Sequence, residues 1–382
     1  MRRDNRLPAA SGPSALLLLL TINVLPAFAS PCRPKVEFDE IVSVVTEQFY
    51  DRTFNGLDWE ARTIHYRGRI QCDDDADDVA STVNALLSEL NASHTELYTA
   101  SDLDYWGLNA LFHFDDLDAY QIYFPGIWPE RRNGGWFAKH VLNGSPAERA
   151  GIRPGDELIT LDGADFHPLG FGGGAAVVTV SSDGRTQREV RLRTVRQSVM
   201  HAFVDASRAS AEVKRAGARR AGYFRIWAAR EQILESLDEA LSRFEEQGVD
   251  AIILDFRGGY GGTSEEYLER LRRGSYLRRI PKYFLIDDTV RSGKEMLAAI
   301  IKRDGIGTLI GSTTAGYFLQ GRMNRLFDEK YFLYVAVGGA SVPGIGRIEG
   351  IGIEPDHYVA PCRMYCRGSD PPLEAAIALI ED

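Results

Sequence analysis

Between residues 221 and 257 the chain reads as strand, helix and strand, and this order restricts the fold more than any other feature. AlaGlyTyrPheArgIleTrp (221–227) has strand character and AlaIleIleLeuAspPheArg (251–257) reads as a buried strand. Between them, 231–244 carries apolar residues at strong helical periodicity. Strand, helix and strand in this order form a parallel crossover unit, which predicts an α/β core. LysTyrPheLeuIleAspAsp (282–288) reads as another buried strand, and Met296, Leu297, Ala299, Ile300 and Ile301 then recur at helical spacing. Ser292 therefore stands where a strand hands over to a helix.

That junction suits a reactive hydroxyl. The first amides of a helix lack intrahelical partners and direct a positive field at an oxyanion forming beside Ser292. The competing reading makes Ser292 an N-cap, with Glu295 completing a capping box. GlyGlyTyrGlyGly (258–262) follows the 251–257 strand and precedes a helix at 264–271. Glycines at a strand's C-terminal end let backbone amides approach a ligand. The spacing fits neither a Walker loop nor a GlyxGlyxxGly fingerprint, so a nucleotide is not expected.

Residues 1–29 read as a secretory signal: Arg2, Arg3 and Arg6, an apolar run from 15 to 25, then a small-x-small site at Ala27 and Ala29. Cleavage is expected before Ser30, giving a periplasmic or secreted chain with no stable membrane anchor; an uncleaved signal anchor is the alternative. Pro31 before Cys32 argues against a lipoprotein. All four cysteines follow the cleavage site, and proximity pairs Cys32 with Cys72 and Cys362 with Cys366, although four cysteines allow three connectivities. A net charge of -10 argues against nucleic acid as a partner. The histidines are scattered and the cysteines show no second clustered pair, so no metal is expected. Helical patterns cover 36–50, a stretch from 58, and 79–90. The acidic run at 73–78 complements the dipole at the start of the third rather than matching an EF-hand loop. Just beyond that helix lie Ser93 and His94, the latter a candidate base of near-neutral pKa.

Residues 119–197 form a different module, with strand-like AlaTyrGlnIleTyrPhe and GlyTrpPheAlaLysHisVal. SerProAlaGluArgAlaGlyIleArgProGlyAsp (145–156) then predicts a short helix, a turn at Pro154 and Gly155, and a strand through 158–161. This pattern closely resembles a PDZ domain, which implies capture of extended peptide ends by strand addition. The loop from Pro125 to Gly135 lacks a clean carboxylate-binding GlyLeuGly signature, and a purely bracing role is the alternative. The polar 198–218 stretch reads as a connector, 331–337 as a strand, and 372–379 as a short closing helix.

Taken in order, AspPheArgGlyGlyTyrGlyGly, SerGlyLysGlu, IleGlySerThrThrAlaGly and GluGlyIleGlyIleGluProAsp resemble the serine peptidases that include tail-specific (C-terminal processing) proteases and the tricorn core. The resemblance covers nearly all of the mature chain. It implies a ClpP/crotonase-like α/β fold divided into a signal (1–29), an N-terminal helical region carrying His94 (30–118), a PDZ-like domain (119–197) and a peptidase core (198–382). It places the nucleophile at Ser292, with Gly293 where alanine is usual, and oxyanion donors at the amides of Gly293 and Gly261. The tail-specific branch uses a lysine base where this chain has Tyr317, while Lys294 and Lys302 are expected to be exposed. The tricorn-like branch implies a Ser292, His94, Glu349 triad supported by Ser93, in which Glu349 fixes the imidazole tautomer. The expected activity is cofactor-free endopeptidase cleavage of protein or peptide substrates. The peptide-binding residues and the oligomeric state stay unassigned. The alternatives are an inactive scaffold with this fold, favoured by the missing lysine, and a hydrolase of small esters or binder of lipophilic ligands.

Overall fold

The computed structural model describes residues 1, 32–113, 119–262 and 266–381. The proposed signal and its cleavage site lie outside the described residues, as does the start of the helix expected at 264.

The core is a six-stranded sheet in the order Glu212–Ala216, Arg219–Arg225, Ala251–Asp255, Lys282–Ile286, Thr308–Gly311 and His357–Tyr358. The first pair is antiparallel and every other pair parallel. Every residue of Ala251–Asp255 is buried, because helices cover both faces. Ile252 and Leu254 join one apolar cluster, Ala251 and Ile253 another, as the two-residue period of a strand dictates. The crossover helix Glu231–Glu246 packs Ile233, Leu234, Leu237, Ala240, Leu241 and Phe244 against the first face. Its Phe244 ring lies over Gly222, where any added Cβ would come within 2.6 Å. The closing helix Pro371–Glu381 covers the second face through Ala376 and Ile380.

Three helices, Arg33–Gln48, Trp59–Arg67 and Ala76–Ser88, enclose a further apolar cluster together with Leu333 and Val335. Those two residues belong to Tyr331–Gly338, which pairs antiparallel with Glu96–Thr99 on one side and Gln320–Leu326 on the other. The polypeptide just after His94 is thus stitched to a strand more than two hundred residues later. In the acidic run, Asp75 caps its helix by accepting from the amides of Asp77 (2.9 Å) and Asp78 (3.0 Å).

The 198–218 stretch is not a linker. Helix Val199–Ala209 and strand Glu212–Ala216 occupy it, and Val199, Met200 and Phe203 are fully buried. Its alanines and arginines mask an apolar stripe at helical spacing. Both expected cysteine pairs are bridged, Cys32 to Cys72 and Cys362 to Cys366.

Candidate active site

The parallel strands aim their C-terminal ends at one region, where loops of an α/β sheet gather functional groups. Ser292 lies between strand Lys282–Ile286 and helix Gly293–Asp304, with φ 57° and ψ -129°. A β-carbon residue is costly there, so its surroundings must hold it. The Ser292 amide donates to Tyr317 O at 2.8 Å and to Glu295 Oε2 at 3.3 Å. Glu295 is fully buried and also accepts from Thr314 Oγ1, Gly316 N and Tyr317 N, at 2.5, 2.7 and 2.8 Å. Burial pushes its carboxyl up while these donors pull it down, with burial the larger effect. Glu295 is therefore more than half of a capping box: it fastens the 314–317 turn to the helix that bears Ser292.

The same turn continues into the other candidate residues. Phe318 N donates to Glu349 Oε2 (2.7 Å) and Leu319 N to Ser93 Oγ (3.3 Å). Three consecutive residues, 317–319, thus hold Ser292, Glu349 and Ser93 by main-chain bonds. Glu349 also accepts from Ser93 N and Ser93 Oγ, each at 2.9 Å, and Ser93 Oγ lies 3.1 Å from His94 Nδ1. Glu349 makes no hydrogen bond to the imidazole itself: Ser93 stands between them. This assigns the tautomer. The single hydroxyl proton of Ser93 goes to the carboxylate, so its oxygen accepts from Nδ1–H, and the lone pair of His94 is on Nε2. The imidazole meets Tyr334 edge-on, ring centres 5.1 Å apart. Burial, and secondarily the Arg291 guanidinium, lower its pKa to about 4. Ser292 and His94 are not hydrogen-bonded to each other; the ring's hydrogen bond is to Ser93.

The glycine turn approaches Ser292 from the other side. A Cβ built on Gly261 would lie 2.8 Å from both Gly293 N and Ser292 Cβ, and one on Gly293 only 1.8 Å from Gly262 O. The start of the turn is pinned by Arg257, which pairs with Asp255 at 2.6 Å and Asp370 at 2.7 Å.

Lys302 is exposed as expected, but Lys294 is not. Only 1% of Lys294 is accessible, and its Nζ donates to Gly258 O (2.7 Å), Trp227 O (3.1 Å) and Phe256 O (3.2 Å). Leaving Phe256 O and Gly258 O without this donor would cost about 1–3 kcal/mol each, while Trp227 O keeps a second donor in Tyr260 N. A signal for this was present: Lys294 precedes Leu297, Ala298 and Ile301 by three, four and seven residues, which puts it on the buried helical face. Tyr317 was singled out for its side chain, yet that side chain is 48% exposed and its carbonyl makes the contact with Ser292.

Residues 119–197 contain a sheet whose outer strand, Ile127–Arg132, carries Pro129 at a bulge. The segment between Ala164–Asp165 and Gly174–Ser181 is not helical. The disulfide loop of residues 362–366 docks on this module: Tyr365 N donates to Gly155 O (2.7 Å) and the Tyr365 ring packs on Phe137 at 5.3 Å. Trp128 reaches the core, its ring 5.7 Å from those of Phe203 and Tyr260. A cleft of about 250 Å³ opens between the module and the Glu96–Asp104 segment, with Trp128, Trp136 and Tyr98 on its walls.

The model of Peptidase family S41 matches residues 265–359, and that of the Tricorn protease C1 domain matches 33–88. A carboxyl-terminal-processing protease of Picosynechococcus is 23% identical over 377 residues, covering 88% of this chain and 86% of its own. A putative tricorn protease homolog of Streptomyces coelicolor is 23% identical over 391 residues, covering 90% of this chain and 32% of its own. Among solved structures, a photosystem II D1 C-terminal processing protease superposes with a TM-score of 0.54 at 20% identity, covering 88% of this chain and 98% of its own. That likeness carries the fold, a mixed α/β one. The class that the fold, the family match and these relatives define is a serine-type peptidase.

Proposed function

We propose that this protein is an exported serine endopeptidase in which Ser292 attacks the scissile carbonyl and His94 takes its proton. The observation that carries this reading is the hydrogen-bonded chain from Glu349 through Ser93 to His94 Nδ1, which leaves the Nε2 lone pair available. Ser93 and Glu349 act together to hold the tautomer and stabilise the imidazolium, so the working unit is Ser292, His94, Ser93 and Glu349. The amides of Gly293 and Gly261 would receive the oxyanion. Proteins or peptides are the substrate class, water the second acceptor, and no cofactor takes part. The basic and apolar pattern of residues 1–29 supports export.

The 119–197 module keeps its PDZ resemblance, but Pro129 has no amide proton to offer along the outer strand that a peptide would join. With the 362–366 loop docked on it, we read it as a brace for the core rather than a peptide clamp. The four-part division of the chain given by the motifs remains our proposed domain organisation.

A fluorophosphonate probe tests the reading. Label on the secreted chain should map to the peptide containing Ser292, on a polypeptide beginning at Ser30, and casein should be cleaved by the same preparation. Absence of both label and cleavage would favour the inactive scaffold. Label with cleavage of activated esters only would favour an esterase.

A second expectation concerns pH. The base must be neutral, and the lowered pKa keeps His94 neutral until about pH 4. The acid limb of kcat/KM is therefore expected near pH 4, activity falling as pH drops through that value, rather than near 6.5. Because Arg291 contributes to the depression, Arg291→Gln should move the limb upward. A wild-type limb at 6.5 would overturn the expected depression of the imidazole.

A further inference from the structure

Lys294 is two residues beyond Ser292, yet its side chain leaves the cleft and ends among main-chain carbonyls. Two of these, Phe256 O and Gly258 O, lie where strand Ala251–Asp255 runs into the glycine turn. The third, Trp227 O, follows strand Arg219–Arg225 and also accepts from Tyr260 N inside the turn (3.0 Å). The other side of Gly258 is held separately, its amide donating to Thr289 Oγ1 at 2.6 Å. One ammonium therefore joins the helix that starts at Gly293 directly to the start of the glycine turn and, through Trp227 O, to Tyr260 just before Gly261.

From this arrangement we infer that Lys294 is a positioning residue for the reaction, tying the Ser292 helix to the glycine turn so that the Gly293 and Gly261 amides converge on one oxyanion. The inference rests on the reading of Ser292 as the nucleophile. Three carbonyl acceptors match the three N–H donors of an ammonium and leave no lone pair, so Lys294 is not the base that Tyr317 fails to supply. A buried cation with carbonyl partners only is an expensive way to fill a core position, and a methionine would fill the same space. What methionine would lack is the three-way link. Burial presses the lysine well below its ordinary pKa, as do Arg225 and Arg291, while Asp255 and Asp287 oppose them.

The test compares wild type with Lys294→Met and Thr289→Val, the second loosening the same turn from its other side. Kinetics are read against the folded fraction from thermal melts. For Lys294→Met, kcat per folded molecule should fall roughly 10²-fold, the scale of a lost oxyanion donor, with KM within about threefold. A peptide boronate, which forms a tetrahedral adduct on Ser292, should bind more weakly by a similar factor, while the matching peptide amide binds as before. Thr289→Val should show the same pattern at smaller size. If Lys294→Met does not fold, Thr289→Val carries the test alone: lost boronate affinity with unchanged amide affinity supports the role. Wild-type kcat per folded molecule in either folded variant would overturn it and leave the peptidase reading intact. A wild type that neither cleaves casein nor reacts with the fluorophosphonate would overturn both.

Discussion

Ser292→Ala is expected to lower kcat by about 10⁶-fold with little change in KM, and His94→Ala by a similar factor. The double variant should be no worse than either single one, because a nucleophile without its base and a base without its nucleophile are equally idle. Ser93→Ala should fall between these and wild type, roughly 10²- to 10⁴-fold down, because it cuts the link that holds Nδ1–H toward Glu349. Steady-state kinetics on a fluorogenic peptide, after active-site titration of the wild type, would measure all four. Additive losses in the double variant would mean that the two residues do not act in one step. A Ser93→Ala loss equal to that of His94→Ala would mean the serine does more than orient the ring.

Gly293→Ala is the second large effect, and its direction is not what the resemblance suggests. Alanine is usual at this position among similar peptidases, so the change looks like a return to the common residue. In this fold the new methyl carbon would sit 1.8 Å from Gly262 O and 2.8 Å from Gly262 C. Both are main-chain atoms, so either the helix start or the glycine turn has to move by about 1 Å, and a shift of that size near reacting groups costs on the order of 10²-fold. We expect kcat to drop by at least that factor, slower fluorophosphonate labelling, and a cooperative melt near the wild-type temperature. The measurement is labelling rate beside peptide turnover. Unchanged values for both would show that the turn yields freely and that the close approach has no catalytic consequence.

The core was legible because its signals are local. The 251–257 and 282–288 strands, the 231–244 helix and the Ser292 helix each carry their own periodicity, and motif order supplied the rest. The 198–218 stretch was misread for a related reason: its polar residues dominate the composition, while only contact with the core shows that Val199, Met200 and Phe203 face inward. Lys294 was misread because a charged side chain is ordinarily exposed, and its three acceptors come from strand ends far away in the chain.

The amino-acid sequence alone determined the α/β class and the strand-to-helix junction that carries Ser292, because each depends on residue type and short-range spacing, and the resemblance of its ordered motifs pointed to His94, Ser93 and Glu349. Tertiary structure alone decided how they connect. Ser93 stands between Glu349 and His94, the main chain of 317–319 gathers the site, Lys294 closes on the glycine turn, and Gly293 must lack a side chain. These are contacts between segments up to 256 positions apart, as for Ser93 and Glu349. Their geometry is set by how the sheet, the Tyr331–Gly338 strand and the helices pack, which no local pattern encodes.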